Sequence, residues 1–271
     1  MRNIELRLAY TGHCFYGWQI QPHAVTVQGA LKKSLTLLLK TKDFRTIGAS
    51  RTDTGVHAHD QHVGLTTTNP IPCDKIVYAL NRQLPRGVRV LSAVERPDDF
   101  SVRYHARGKH YAFYINNSGV ISPFIEPLVW SDRRPLDAAA MDRAARYFVG
   151  TRCFKALQSQ QDHRTHATTT IHQTRVTRSG DMVCFEVIGH HFLYHMVRNM
   201  VGSLVLVGRG DWTPEELGQR LDSRDRTKMG MTSPAAGLHL VKIFYEEPPF
   251  DFSPVSDQFN NFLAQGQACF F

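Results

Sequence analysis

Polar and apolar residues alternate from Asn3 to Tyr10 as they do in a half-buried strand, and Thr11-Gly12 breaks the pattern. After a polar and aromatic loop, Phe15 to Pro22, the spacing from Val27 to Leu35 predicts an amphipathic helix with Thr26 as its N-cap. Phe44 to Ala49 and His62 to Thr68 are predicted strands, Cys73 to Leu84 a second helix, and Gly87 to Glu95 a closing strand. The order β-α-β-β-α-β is that of one ferredoxin-like unit. It recurs: a strand at Lys109 to Ile115, a helix at Leu136 to Val149, and a hairpin of Thr170 to Arg178 with Met182 to Ile188 around Ser179-Gly180. An apolar helix at Phe192 to Val207, a short one at Pro214 to Leu221 and a last strand at Leu238 to Tyr245 complete it. The expected fold is therefore α+β, two ferredoxin-like halves spanning residues 1–104 and 105–271, a duplication resting on element order alone. The tail from Pro248 carries Phe250, Phe252, Phe259, Phe262, Phe270 and Phe271, too aromatic for open solvent, and is expected to pack on the body or on a partner.

Composition adds class and compartment. A chain of 271 residues with 42% hydrophobic content can bury a large core, and its length favours two domains. It has no run of some 18 apolar residues and no apolar signal core at Met1 to Leu6, so no membrane partner and a cytoplasmic address are expected. The cysteines Cys14, Cys73, Cys153, Cys184 and Cys269 are scattered and never in a C-x-x-C pair, which argues for reduced thiols over a disulfide framework or zinc knuckle. A net charge of +8 makes a polyanion, above all nucleic acid, the leading partner, although many basic proteins bind none.

The chemistry centres on Gly48 to His59, a polar run between apolar ones, with Asp53 in the middle. Small and hydroxyl residues flank this carboxylate, Gly55 permits a tight turn, and Arg51 is a neighbouring cation, an arrangement suited to a nucleophile or base kept ionised. The same residues are also ordinary turn formers. Behind them, His57, His59, Asp60 and His62 invite a metallohydrolase reading, but in an extended segment His57 and His59 share one face while Asp60 and His62 share the other, which splits the ligand set. From Phe100 to Tyr111, Arg103, Arg107 and Lys109 interleave with aromatics, a mixture that neutralises phosphates and stacks on splayed RNA bases, or else forms a solvated edge strand. Arg198, inside the apolar run Phe192 to Gly202, calls for a carboxylate or phosphate, and Asp53 is the candidate.

Taken in order, Tyr10-Thr11-Gly12, Gly17-Trp18-Gln19, Thr26-Val27-Gln28-Gly29, Arg51 to Ala58, Lys109-His110-Tyr111, Phe192 to Asn199 and Thr232 to Leu238 resemble the tRNA pseudouridine synthase A family. The resemblance runs from Tyr10 to about Tyr245. It implies isomerisation of uridine to pseudouridine in the anticodon stem-loop of tRNA, at positions 38–40, with neither cofactor nor metal. It also implies two halves whose sheets join around a central basic cleft, and a homodimer that holds the elbow and the anticodon arm of one tRNA. By the same resemblance Asp53 is the catalytic carboxylate, Tyr111 stacks on the target base and helps remove the C5 proton, and Arg198 pairs with the aspartate. Arg51 helps evict the base and Leu238 lines the uracil pocket, while Arg103 and Lys109 are expected to bind substrate from their place among the interleaved cations and aromatics. The chain departs from the family pattern at Thr151 to Phe154, in the polar stretch Gln158 to Thr169, and at His190-His191. The competing readings are a metallohydrolase and a noncatalytic RNA-binding module.

Overall fold

Ile4, Leu6 and Leu8 are fully buried on one face of β1 (Arg2–Tyr10), at the centre of the first of two units into which the computed structural model divides. The structure describes residues 1–162 and 164–268, so Cys269, Phe270 and Phe271 lie outside the described residues. Unit 1 comprises Met1–Arg107 and His239–Glu246. In it β1 pairs antiparallel with β3 (His57–Thr67) and β4 (Val88–Arg96), and β2 (Arg45–Gly48) pairs with β3. The resulting order β4-β1-β3-β2 is the ferredoxin-like one expected for this stretch. Helix α1 (Val27–Leu39) buries Val27, Leu31, Leu35 and Leu39 at four-residue spacing, and Thr26 Oγ1 accepts from the Gly29 N–H as the expected cap. Helix α2 (Cys73–Gln83) buries Ile76 and Leu80.

The second face of β1 is covered as well. Glu5 is only 3% exposed, and the rings of Phe100 and Tyr245 lie over Arg96 and His62 beside it. Burial of that polar face explains one misreading. Strand β3 starts at His57, five residues before the expected His62, because its polar leading residues are satisfied by hydrogen bonds inside the unit rather than by water.

Unit 2 comprises Gly108–Leu238 and the described residues from Glu247 onward. Its sheet runs β5 (Gly108–Asn116), β9 (Met182–Gly189), β8 (Thr168–Ser179), β7 (Gly150–Cys153), all antiparallel, with the two-residue β6 (Trp130–Ser131) parallel to β5. The expected hairpin is β8 and β9. Helices α3 (Ala138–Ala145), α4 (Met196–Gly208) and α5 (Pro214–Asp222) follow the predicted order. Helix α4 starts four residues later than expected, because His195 sits at φ 60° in the left-handed region and stops the helix at its own N-cap. Strand β10 (Leu238–Phe244), expected to close the second half, runs parallel to β3 within unit 1, with His239 opposite His57 and Leu240 opposite Ala58.

The aromatic tail forms α6 (Pro254–Ala268) and packs on the unit 2 sheet. Tyr114 Oη donates to the Ser256 carbonyl at 3.2 Å, Phe259 meets Tyr114 edge-on at 5.2 Å, and Gln173 donates to the Phe250 carbonyl at 2.7 Å. Among the described residues no helix is long and apolar enough to cross a membrane.

Candidate active site

The loop joining β2 to β3 carries Asp53, and contacts from distant parts of unit 1 fix it on both sides of that residue. Val56 N–H donates to the Asp53 carbonyl at 3.1 Å, closing a turn whose third residue, Gly55, has φ 83°. Thr52 is held twice: its carbonyl accepts from Trp18 N–H at 3.0 Å, and its hydroxyl shares a 2.7 Å hydrogen bond with Tyr10 Oη. Gln61, fully buried on β3, exchanges hydrogen bonds with the backbone of Ser50 at 3.2 and 2.7 Å and donates to Tyr10 Oη at 3.3 Å. Gly17 passes behind the loop at φ 77°, and a Cβ there would lie 2.9 Å from the Thr52 carbonyl. A side chain at position 17 would therefore push the Asp53 backbone outward. Asp53 itself is half-buried while Arg51 and Thr54 beside it are exposed, so a rigid frame presents a carboxylate at a surface.

The histidines behind Asp53 divide by face as the strand pleat requires. His57 Nδ1 accepts from Gly12 N–H at 3.1 Å, its ring stacks on His239 at 4.4 Å, and His59 Nε2 approaches His239 Nδ1 at 3.1 Å. On the other face His62 lies between two carboxylates, with Nδ1 against Glu5 and Nε2 3.1 Å from Asp60. Arg96 binds Glu5 at 2.5 Å and Arg7 binds Asp60 at 2.8 Å. Burial alone would lower the His62 pKa, but its hydrogen bonds to Asp60 and Glu5 outweigh that and raise it. Burial also works to raise the Glu5 and Asp60 pKa values, and the bonds to His62 and the arginines overcome it, leaving both lowered. The set is an ion cluster that ties β1, β3 and β4 together. Among the described residues no three His, Cys, Asp or Glu side chains are grouped to hold a metal.

The remaining expected residues lie in unit 2, except Arg103, which is exposed on the unit 1 loop after β4 with its guanidinium 5.7 Å from the Tyr104 ring. Tyr111 is buried on β5 and meets Phe192 edge-on at 5.1 Å. Lys109 precedes it by two residues, on the same face of the strand. Arg198 is in the first turn of α4, where its Nε donates to the Ser233 carbonyl at 2.7 Å and its own carbonyl accepts from Ser233 Oγ at 2.9 Å. Next to it, fully buried Asn199 accepts from Arg226 at 2.9 Å and Thr232 at 2.6 Å and donates to the Leu157 carbonyl at 2.8 Å. The polar side of α4 thus anchors the segment Arg226 to Ser233, which leads directly into Leu238, buried at the start of β10. Burial, followed by the charges of Arg198 and Arg226, pulls the His195 pKa down to about 4, so this imidazole is neutral at physiological pH. Of the holding residues, Tyr10, Gly17, Trp18, Asn199 and Ser233 fall within the motifs that carry the resemblance, without a role assigned to them there, whereas Gln61 carried no signal in the sequence.

The charge is unevenly shared. Unit 1 has 16 Lys and Arg against 9 Asp and Glu and unit 2 has 16 against 15, so seven of the eight net positive charges belong to the unit that carries Asp53.

The profile of the family described as tRNA pseudouridine synthase matches residues 8–105 and 144–246. A relative called tRNA pseudouridine synthase A from Thermoanaerobacter pseudethanolicus is 38% identical over 245 residues, covering 90% of this chain and 100% of its own. Its counterpart from Acetivibrio thermocellus is 40% identical over 245 residues with the same coverage. Among solved structures, a chain of a Cbf5-Nop10-Gar1 complex overlaps 85% of this chain and 50% of its own at a TM-score of 0.36 and 12% identity. With a family match over both flanks of the chain and full-length relatives near 40% identity, this chain belongs to the tRNA pseudouridine synthase family.

Proposed function

We propose that this enzyme, an isomerase of tRNA uridines, acts on positions 38–40 in the anticodon stem-loop, with Asp53 as its essential carboxylate. The observation that carries the reading is the frame around Asp53: Tyr10, Gly17, Trp18 and Gln61 fix the flanking backbone while the carboxylate stays accessible, as a preorganised catalytic group requires. In the reaction the N1–C1′ glycosidic bond breaks, the uracil turns, C5 bonds to C1′ and the C5 proton leaves, so the change is redox-neutral. Asp53 adds to ribose or base, or assists the cleavage. Tyr111 stacks on the uracil and helps take the C5 proton, a task for which its phenol sits at the end of a strand-borne, edge-packed ring. Arg198 keeps the aspartate ionised and oriented, and its anchorage on Ser233 supports a fixed guanidinium. Arg51 evicts the base, which costs a few kcal/mol of unstacking. Arg103 and Lys109 contact the RNA backbone and Leu238 lines the uracil pocket. The excess positive charge of unit 1 supports a polyanionic substrate. The enzyme works as a homodimer in the cytoplasm, gripping the elbow and the anticodon arm of one tRNA.

Incubation of wild type and Asp53→Ala with an unmodified tRNA transcript, followed by mapping of pseudouridine, tests the proposal. The wild type is expected to modify the anticodon arm, and the variant to bind tRNA but form product at least roughly a thousandfold more slowly. Product from Asp53→Ala at a wild-type rate would remove the aspartate from the chemistry.

A further inference from the structure

Three neighbouring strands of unit 2 bring basic side chains to one end of the sheet. Lys109 on β5 pairs with Gly189 on β9, Ile171 on β8 pairs with the same Gly189, and His172 and His190-His191 follow directly in their strands. The backbone of the histidine pair is clamped to β8: His190 N–H donates to the Thr170 carbonyl at 2.9 Å, and Thr169 Oγ1 donates to the His191 carbonyl at 2.8 Å. This brings the two Nδ1 atoms to 3.3 Å, with the rings tilted by 71°.

Burial lowers the pKa of both His172 and His191, and the neighbouring cations push the same way: His190 for both, and Arg164 and Lys109 for His191. Asp162, the carboxylate on the loop with Arg164, is engaged by that guanidinium at 2.6 Å and by Tyr194 N–H at 2.9 Å. Phe250 packs edge-on against His172 at 5.0 Å. On the far side, Phe192 follows His191 directly and meets the ring of Tyr111. His191, with His190 and Lys109 as neighbouring basic groups and set one residue from the Tyr111 packing partner, matches a negatively charged ligand, whereas His172 packs on Phe250 across the pleat from Lys109.

We propose that His190, His191 and Lys109 form a binding site for an RNA backbone phosphate beside Tyr111. The site rests on the reading of the chain as a tRNA-modifying enzyme and assigns it a contact that the family motifs do not contain. A phosphate seated there favours the charged imidazoles, so RNA binding takes up protons and tightens as pH falls through the histidine range.

The test compares wild type with the double variant His190→Gln, His191→Gln and with His172→Gln, which lies outside the site and serves as the control. Affinity for the unmodified transcript is measured near pH 6 and near pH 8 at constant ionic strength, and proton uptake by calorimetry in two buffers of different ionisation enthalpy. The wild type is expected to gain roughly three- to tenfold more affinity on acidification than the double variant, with proton uptake reduced in the double variant and kept in His172→Gln. His190 is exposed and His191 half-buried, both beyond the end of β9, so the double variant replaces no residue of the strands themselves. A double variant with the pH response and proton uptake of wild type overturns the phosphate site. Pseudouridine mapping on the same samples separates the two levels: product with unchanged pH response defeats only this site, whereas no product from wild type defeats the reading beneath it.

Discussion

Each unit buries a histidine and a glutamate on its sheet and binds them with arginines from outside, but one cluster is centred on the imidazole and the other on the carboxylate. In unit 1 the centre is His62, flanked by the carboxylates of Glu5 and Asp60, which Arg96 and Arg7 bind from outside. In unit 2 the centre is Glu186, which accepts from His110 at 3.1 Å, Arg175 at 2.7 Å and Ser256 at 2.5 Å, while Arg175 reaches on to Asp257 at 2.8 Å. Arg175 also lies 4.7 Å over the Phe252 ring, so half of this cluster comes from the segment leading into and forming α6. A polar sheet face can thus be roofed in two ways: by aromatic rings over an imidazole centre, or by a helix that brings its own hydrogen-bond donors to a carboxylate one.

Removing the anionic centre should have the largest effect. Glu186→Gln leaves Arg175 without its main counter-charge and His110 and Ser256 with weakened acceptors, and is expected to cost ~3–5 kcal/mol in denaturant unfolding. A cost no greater than that of a surface change would mean that unit 2 does not depend on its carboxylate.

Alkaline pH should separate the units by a smaller margin. The raised His62 pKa means that its contribution is complete below the ordinary histidine value and is lost as pH rises through the folded one. In unit 2, burial opposes the charge of Arg175, but Glu186 and Asp257 outweigh it and raise a pKa that is already far above the working range. Amide exchange, corrected for its intrinsic pH dependence, should therefore show β1 and β3 losing protection as pH rises above the ordinary histidine value while β5 and β9 keep theirs. Equal losses would sink the distinction. On the acid side the units should behave alike, because the lowered pKa values of Glu5, Asp60 and Glu186 give contributions that are present above the ordinary carboxylate value and lost as pH falls through the folded ones.

The smallest effect belongs to an exposed pair outside both clusters. Arg146→Ala, which removes an i,i+4 partner of Asp142 with the arginine 74% exposed, should change stability by less than about 0.5 kcal/mol and serves as the baseline for the other two.

Neither cluster was legible in the sequence. Alternation placed Glu5 on the polar face of a half-buried strand, which is where it lies, but nothing local indicated that Phe100 and Tyr245 would roof that face. The same blindness shortened β3, whose leading residues are polar yet buried. The four-residue β7, the two-residue β6 and α6 were missed because their stability comes from partners far along the chain, not from their own periodicity. The repeating helices and the hairpin, with their regular spacing and Ser179-Gly180 turn, were readable directly. At the site, Gly55 marked the turn and Asp53 its centre, whereas Tyr10 and Gln61, one on each adjoining strand, act through hydrogen bonds that no spacing rule describes.

The division of unit 1 into Met1–Arg107 and His239–Glu246 also sets an order of events during synthesis. Domains form as their residues leave the ribosome, at about 5–20 residues per second. A nascent chain that has delivered residue 107 holds all four ferredoxin-like strands and both helices of unit 1, but must wait for all of 108–238 before β10 arrives. Since β10 pairs with β3 only at His57 and Ala58, the stretch left waiting is the one that adjoins the Asp53 loop. The bulk of unit 1 can be in place early, and the end of β3 next to the Asp53 loop is the last part of it to gain its neighbour.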